Sequence, residues 1–195
     1  MIDINSNKQN QQTIKKSISI TGIGLHTGKR VNMKLIPAEV DQGVKFIRSD
    51  QKNNNEIDAI WSNVSETVLS TTISNQSKLK ISTVEHLMSA LSGLHIDNLS
   101  IYINASEVPI MDGSSRPFVD LIESVGITVQ NKKRKVLNVK KIIEVKNDKS
   151  SAKIIPNNQF SIDFEIDFPS QLVSKQSCQL QLINGNYKTD IAAAR

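Results

Sequence analysis

Glu85 and His86 are adjacent in the stretch Ser82-Thr83-Val84-Glu85-His86-Leu87-Met88-Ser89-Ala90-Leu91-Ser92-Gly93-Leu94. A carboxylate beside an imidazole can divide a hydrolytic task. The imidazole holds a metal ion, and the carboxylate takes a proton from the metal's water. The same pair also occurs by chance on solvated helix faces, and it is not the H-E-x-x-H pattern. On the residues alone both readings stand.

The element that must position the pair is a helix. Val84, Leu87, Met88 and Leu91 stand at i, i+3, i+4 and i+7, the apolar stripe of an amphipathic helix. Ser82 or Thr83 is the expected N-cap and Gly93 the expected stop. At about 100° per residue, Glu85 and His86 flank the face opposite the stripe, with the small Ser82 and Ser89 between them.

The surrounding chain reads as sheet. Residues 1–13 are polar and expected to be frayed and disordered. Ile14 to Ile23 reads as a strand and leads into Gly22-Ile23-Gly24-Leu25-His26-Thr27-Gly28-Lys29. That stretch has neither the third glycine of a dinucleotide fingerprint nor the G-K-[ST] of a P-loop. Val31, Met33 and Leu35 alternate after it, so His26 to Lys29 is expected to be a hairpin turn with Gly28 at positive φ.

Further strands are expected over Gly43 to Arg48, Ile57 to Val64, Thr67 to Ile73, Leu79 to Ile81 and Asn98 to Asn104. A second helix is expected to carry Phe118, Leu121, Ile122 and Val125 as its stripe. Its cap is Asp112 or Ser114, Pro117 sits in its first turn, and Gly126 closes it. The expected class is therefore α+β. Residues 14–128 make a two-layer sandwich, a mainly antiparallel sheet covered by two helices.

Asn131-Lys132-Lys133-Arg134-Lys135 marks the expected basic linker, residues 129–135, read as a solvated face in preference to a phosphate site. Residues 136–195 alternate again over Val136 to Val145, Ala152 to Ile155, Phe160 to Phe168 and Cys178 to Leu182. A last helix is expected at Ile191–Arg195, capped by Thr189 or Asp190. This second α+β domain is expected to be incomplete, so it should expose apolar rows such as Ile162, Phe164 and Ile166, or pair with another chain.

Composition narrows the class. The 195 residues can bury a real core, and no apolar run approaches a membrane span. The N-terminus lacks the regions of a signal peptide. One cysteine, Cys178, excludes an intrachain disulfide and fits a reducing compartment, so a cytoplasmic location is expected. Aromatic residues at 4% argue against base-stacking nucleic-acid platforms, despite the net charge of +5.

Three motifs, in order and spacing, resemble one family. Gly22-Ile23-Gly24-Leu25-His26-Thr27-Gly28, Ser82-Thr83-Val84-Glu85-His86-Leu87 and Pro109-Ile110-Met111-Asp112-Gly113-Ser114 look like the UDP-3-O-acyl-N-acetylglucosamine deacetylases, zinc enzymes of lipid A biosynthesis. Phe160 to Phe168 and Asp190 to Arg195 are similar too. The resemblance implies two like domains, each a sheet packed on two helices, with Zn2+ between them. It implies hydrolysis of the acetamido group of a UDP-linked, 3-O-acylated glucosamine, releasing acetate. His86 matches a zinc ligand, Glu85 the general base, and Leu69-Ser70-Thr71 a segment lining the substrate site.

The same resemblance places a Thr-Phe-Gly-Phe segment, a His and an Asp that complete the zinc site, and a further His beyond the position of Arg195. His26 and His95 match no ligand, and His95 reads as structural at a helix end. The 195 residues alone are therefore expected to be inactive and to hold zinc weakly, unless Asp112, Glu107 or Glu85 completes a makeshift site. A second chain supplying the missing part, a split-gene remnant, or a basic binding module without chemistry are the other readings.

Overall fold

The computed structural model describes residues 10–182 and 186–195. They divide into two units, one running to Arg134 and including Lys188–Arg195, the other Lys135–Tyr187. In the first, alternation decides the sheet. In β3 (Arg30–Pro37) the side chains of Val31, Met33 and Leu35 are buried while Asn32 and Lys34 face out. β3 pairs with β2 (Ile18–Ile23) through the hairpin turn, and Gly28 there has φ +62°. A side chain at that dihedral would be strained.

β9 (Leu99–Ile103) lies on the other edge of β3, antiparallel, and buries Leu99, Ile101 and Ile103. Its second neighbour is β4 (Val44–Arg48), and that pair is parallel. β5 (Glu56–Asp58) closes the five-stranded order β2-β3-β9-β4-β5. A three-stranded sheet holds β6 (Val64–Glu66), β7 (Thr72–Ser74) and β8 (Lys80–Ile81). Residues 67–71, expected as strand, form a loop that exposes Val68 and Leu69.

α1 (Glu85–Gly93) buries Leu87, Ala90 and Leu91, with Val84 buried just ahead of it. Met88 is only half-buried, so the stripe is rotated towards Ala90. Neither expected terminus is built as the sequence suggests. Val84 is the N-cap, with no side-chain cap bond. At the other end His95, not Gly93, takes the left-handed conformation (φ +60°). Its N–H donates to Ser92 and that of Ile96 to Leu91, which is a Schellman closure.

α2 (Arg116–Val125) buries Phe118, Val119 and Ile122. Its N-cap is Ser115, while the Ser114 hydroxyl accepts the Arg116 N–H at 3.2 Å. Gly126 (φ +79°) closes it as expected. The last helical turn, α3 (Tyr187–Asp190), falls earlier than the expected 191–195. Ser115 Oγ donates to the Ala192 carbonyl at 3.1 Å, so the chain end seats on the start of α2.

Two expectations about segment boundaries differ from the structure. Strand β1 spans Asn10–Ile14, of which residues 10–13 fall in the expected frayed terminus, and Gln11 and Thr13 are buried in it; residues 1–9 lie outside the described residues. Ile127–Lys133, overlapping the expected linker, is strand β10 and pairs antiparallel with β1. Side-chain bonding is the reason. Gln11 Nε2 donates to Asp41 at 2.7 Å and its Oε1 accepts from Asn98 at 2.8 Å. Lys132 pairs with Asp41, and Arg134 forks onto Asp97 with two bonds of 2.7 Å.

Asp97 Oδ2 also accepts the Gln12 N–H, and Arg134 reaches the His95 carbonyl at 2.8 Å. Arg134→Ala removes the fork and the carbonyl bond while leaving Asp97 on β1. At this partly solvated position we expect a loss of about 1–2 kcal/mol, read by urea unfolding. An unchanged midpoint would mean that β1 and β10 hold without it.

In the second unit β11 (Ile143–Lys146) pairs with β12 (Ser151–Ile154), and β13 (Ser161–Asp167) with β14 (Lys175–Gln181). Both are antiparallel hairpins. Ile162, Phe164 and Phe168 are exposed, Phe164 at 61%, while Ile166 is half-buried. Among the described residues the chain is thus α+β, mostly antiparallel, with three helices.

Candidate catalytic site

The chemistry-bearing pair stands in the first turn of α1, both side chains half-buried. A carboxylate there suits the positive end of the helix. Glu85 Oε2 accepts the Thr71 N–H at 3.0 Å, and the Thr71 carbonyl accepts the Val84 N–H at 3.3 Å. Thr71 is therefore clamped to the start of α1 from both sides. Leu69 precedes it with φ +62° and is 87% exposed. So the structure brings Thr71, the last residue of Leu69-Ser70-Thr71, onto Glu85, although 14 residues separate the two.

A catalytic zinc takes three protein ligands and an open position. Among the described residues no three His, Cys, Asp or Glu side chains gather to hold a metal. Glu107 and Asp112 do not complete a makeshift site, because both are engaged elsewhere. Asp112 accepts from the Ser114 N–H and hydroxyl and faces Arg195 at 3.2 Å. The Ser114 hydroxyl, its N–H and then Arg195 hold its carboxyl below the ordinary range.

Glu107, considered from the sequence only as a makeshift zinc ligand, has a role that the sequence did not signal. Its side chain is fully buried. Oε1 accepts from the His26 N–H at 2.9 Å and the Thr83 hydroxyl at 3.1 Å, and Oε2 from the Thr27 N–H at 2.9 Å. Burial pushes this carboxyl up. The His26 N–H, the hydroxyl and N–H of Thr27, and the Thr83 hydroxyl together outweigh it, so it lies below its ordinary value.

Around this carboxylate the three motifs meet. Gly24 leaves no room for a side chain beside it, since a Cβ would overlap Glu107 Oε2. Ser82 donates to the Ser106 carbonyl at 2.9 Å and accepts from Val108 at 3.0 Å. Ile110 donates to Ile23 at 3.0 Å, and a Cβ on Gly22 would lie 2.8 Å from Pro109 Cβ. The one signal in the sequence was a lone carboxylate in the run Ala105-Ser106-Glu107-Val108-Pro109-Ile110.

The depressed Glu107 value has a pH consequence. Its bonds contribute fully above the ordinary value of about 4.5 and are lost as pH falls through the lower folded value. Unfolding followed from pH 6 down to pH ~3 should show a steep acid limb, flatter in Glu107→Gln. Equal limbs in both proteins would remove Glu107 from the account.

The sequence that carries these motifs matches known proteins. The family model described as LpxC: UDP-3-O-acyl N-acetylglycosamine deacetylase matches residues 11–195. The chain belongs to this family. A UDP-3-O-acyl-N-acetylglucosamine deacetylase of Syntrophus aciditrophicus is 42% identical over 95% of this chain and 58% of its own length. That of Thioalkalivibrio sulfidiphilus is 44% identical over 95% and 61%. That of Saccharophagus degradans is 49% identical over 81% and 52%. The chain thus spans 52% to 61% of the length of these deacetylases. No helix among the described residues is long and apolar enough to cross a membrane.

Proposed function

We propose that this chain carries the Glu85–His86 side of a zinc-dependent deacetylase acting on UDP-3-O-acyl-N-acetylglucosamine in lipid A biosynthesis, in the cytoplasm. The observation that carries this reading is the clamped Glu85 carboxylate beside His86, in a chain of the deacetylase family. Glu85 is the general base for water. The Thr71 N–H on Oε2 fixes the carboxylate's orientation, and the other oxygen takes the proton. His86 is one ligand of zinc, which when bound supplies Lewis acidity to the acetamide. Leu69, Ser70 and Thr71 line the approach of the substrate, with the exposed Leu69 side chain suited to an apolar group.

The remaining ligands come from the part of the relatives' length that this chain does not span, in the same polypeptide or a second one. That part also covers the exposed face of β13 and β14, completing a second domain like the first, each a two-layer sandwich. The 195 residues alone are inactive, because His86 by itself would hold zinc weakly and would leave a bound water with a pKa near the aqueous value of about 9.

The test uses two proteins, this chain alone and a fusion continuing it with the remaining length of the Thioalkalivibrio sulfidiphilus deacetylase. The fusion should release acetate from UDP-3-O-acyl-N-acetylglucosamine and stop when zinc is chelated. The chain alone should do neither and should lose zinc on dialysis. Stoichiometric zinc with turnover by the chain alone would overturn the division of ligands. A folded, zinc-loaded fusion that releases no acetate would overturn the activity.

A further inference from the structure

We infer that Glu107 is a positioning residue for the Glu85–His86 pair, acting through Thr83; this rests on the roles given above to that pair. Thr83 has φ +58°, a left-handed dihedral that is a genuine outlier for a β-branched residue. It stands two residues before Glu85. The helix that follows has no local device to fix its start, since Val84 at the N-cap makes no side-chain cap bond. Something non-local must hold the strained residue in place.

Glu107 is that hold. Thr83 is buried, and its hydroxyl donates to Glu107 Oε1 at 3.1 Å. The carboxylate cannot follow Thr83 if the helix start drifts, because the His26 and Thr27 N–H groups grip it and Gly24 closes over it. The neighbouring backbone is fixed as well, through the Ser82 bonds to Ser106 and Val108. From this anchor the chain runs directly into Val84 and Glu85, where Thr71 clamps both. Release of Thr83 would let it relax towards ordinary dihedrals and swing the first turn of α1 away from Thr71. Glu107 touches no reacting group in this arrangement; it sets where the groups stand.

The test reads the Thr71 amide by NMR in the full 195-residue chain, with no metal or substrate present. An N–H donating to a carboxylate is shifted downfield and protected from exchange. Glu107→Gln keeps the shape but turns an acceptor into an amide that faces a donor. Thr83→Val keeps the shape and removes only the hydroxyl, so it serves if Glu107→Gln does not fold. In both, the Thr71 N–H should move upfield and exchange on the order of tenfold faster, while the β3 and β9 amides keep their protection.

Thr83→Gly should restore the Thr71 signature relative to Thr83→Val. Glycine also lacks the hydroxyl but adopts φ +58° without strain. An unchanged Thr71 signal in Thr83→Val with a protected sheet would overturn the inference. So would equal loss in the valine and glycine variants, which would assign Glu107 to the 26–28 turn alone. Turnover does not enter, so a wrong assignment of Glu85 as base would appear in the fusion assay and not here.

Discussion

Glu85→Gln in the fusion enzyme is expected to lower turnover by about 100- to 10,000-fold with zinc content unchanged. The amide is nearly isosteric with the carboxylate, and its oxygen can still accept the Thr71 N–H that orients Glu85. What is lost is basicity, because an amide cannot take a proton from water near neutral pH. His86→Ala is expected to do something different and release zinc, since it deletes a donor from a site with few to spare. Zinc content by atomic absorption, set beside the rate of acetate release, separates the two. Equal zinc and equal losses in both variants would show that the roles are misassigned.

The second large effect is expected at Gly24. An alanine Cβ there would overlap Thr27 Oγ1 and Glu107 Oε2 and lie 2.9 Å from Glu107 Cδ. A free glutamate would swing aside at little cost, but this one is held by the His26 and Thr27 N–H groups and the Thr83 hydroxyl. Moving it combines overpacking with buried donors left unpaired, for a loss of about 3 kcal/mol or more. Gly28→Ala is the control. Its φ is +62° with open space around it, so only backbone strain of about 1 kcal/mol applies. Urea unfolding by circular dichroism should rank Gly24→Ala well below Gly28→Ala. The opposite order would mean that the Glu107 cradle yields.

These sites also mark how far the sequence could be read. Val31, Met33 and Leu35, and Leu99, Ile101 and Ile103, announced β3 and β9 because alternation records which side of a strand meets water. The helix of Glu85 and His86 was legible for the same reason. β1 and β10 were not. Gln11 and Thr13 look like solvent-facing residues and are buried because groups far along the chain satisfy them, side chains for Gln11 and the Ala38 N–H for Thr13. Asn98 lies 87 positions from Gln11, and Arg134 lies 37 from Asp97. Hydropathy carries no trace of such partners.

The candidate site divides in the same way. Leu69-Ser70-Thr71 came to notice through the family resemblance, but no pattern in the residues placed Thr71 against Glu85. Thr83 looked like a helix cap because threonine favours caps. Its hydroxyl instead serves Glu107, 24 residues on. A buried carboxylate leaves no periodic mark, and neither does a left-handed threonine.

The seat of β9 between β3 and β4 also orders events in time. As the chain leaves the ribosome, β2 with β3 and β4 with β5 can each pair locally. Nothing joins the two hairpins until Leu99–Ile103 emerges and fills the gap between them. Glu107 follows four residues behind the end of that strand, so the turn at His26 and the start of α1 are secured in the same late step. Until then the facing edges of β3 and β4 are open to strands of other chains. A nascent chain stalled before Leu99 would hold most of the sheet's residues and little of its protection from aggregation.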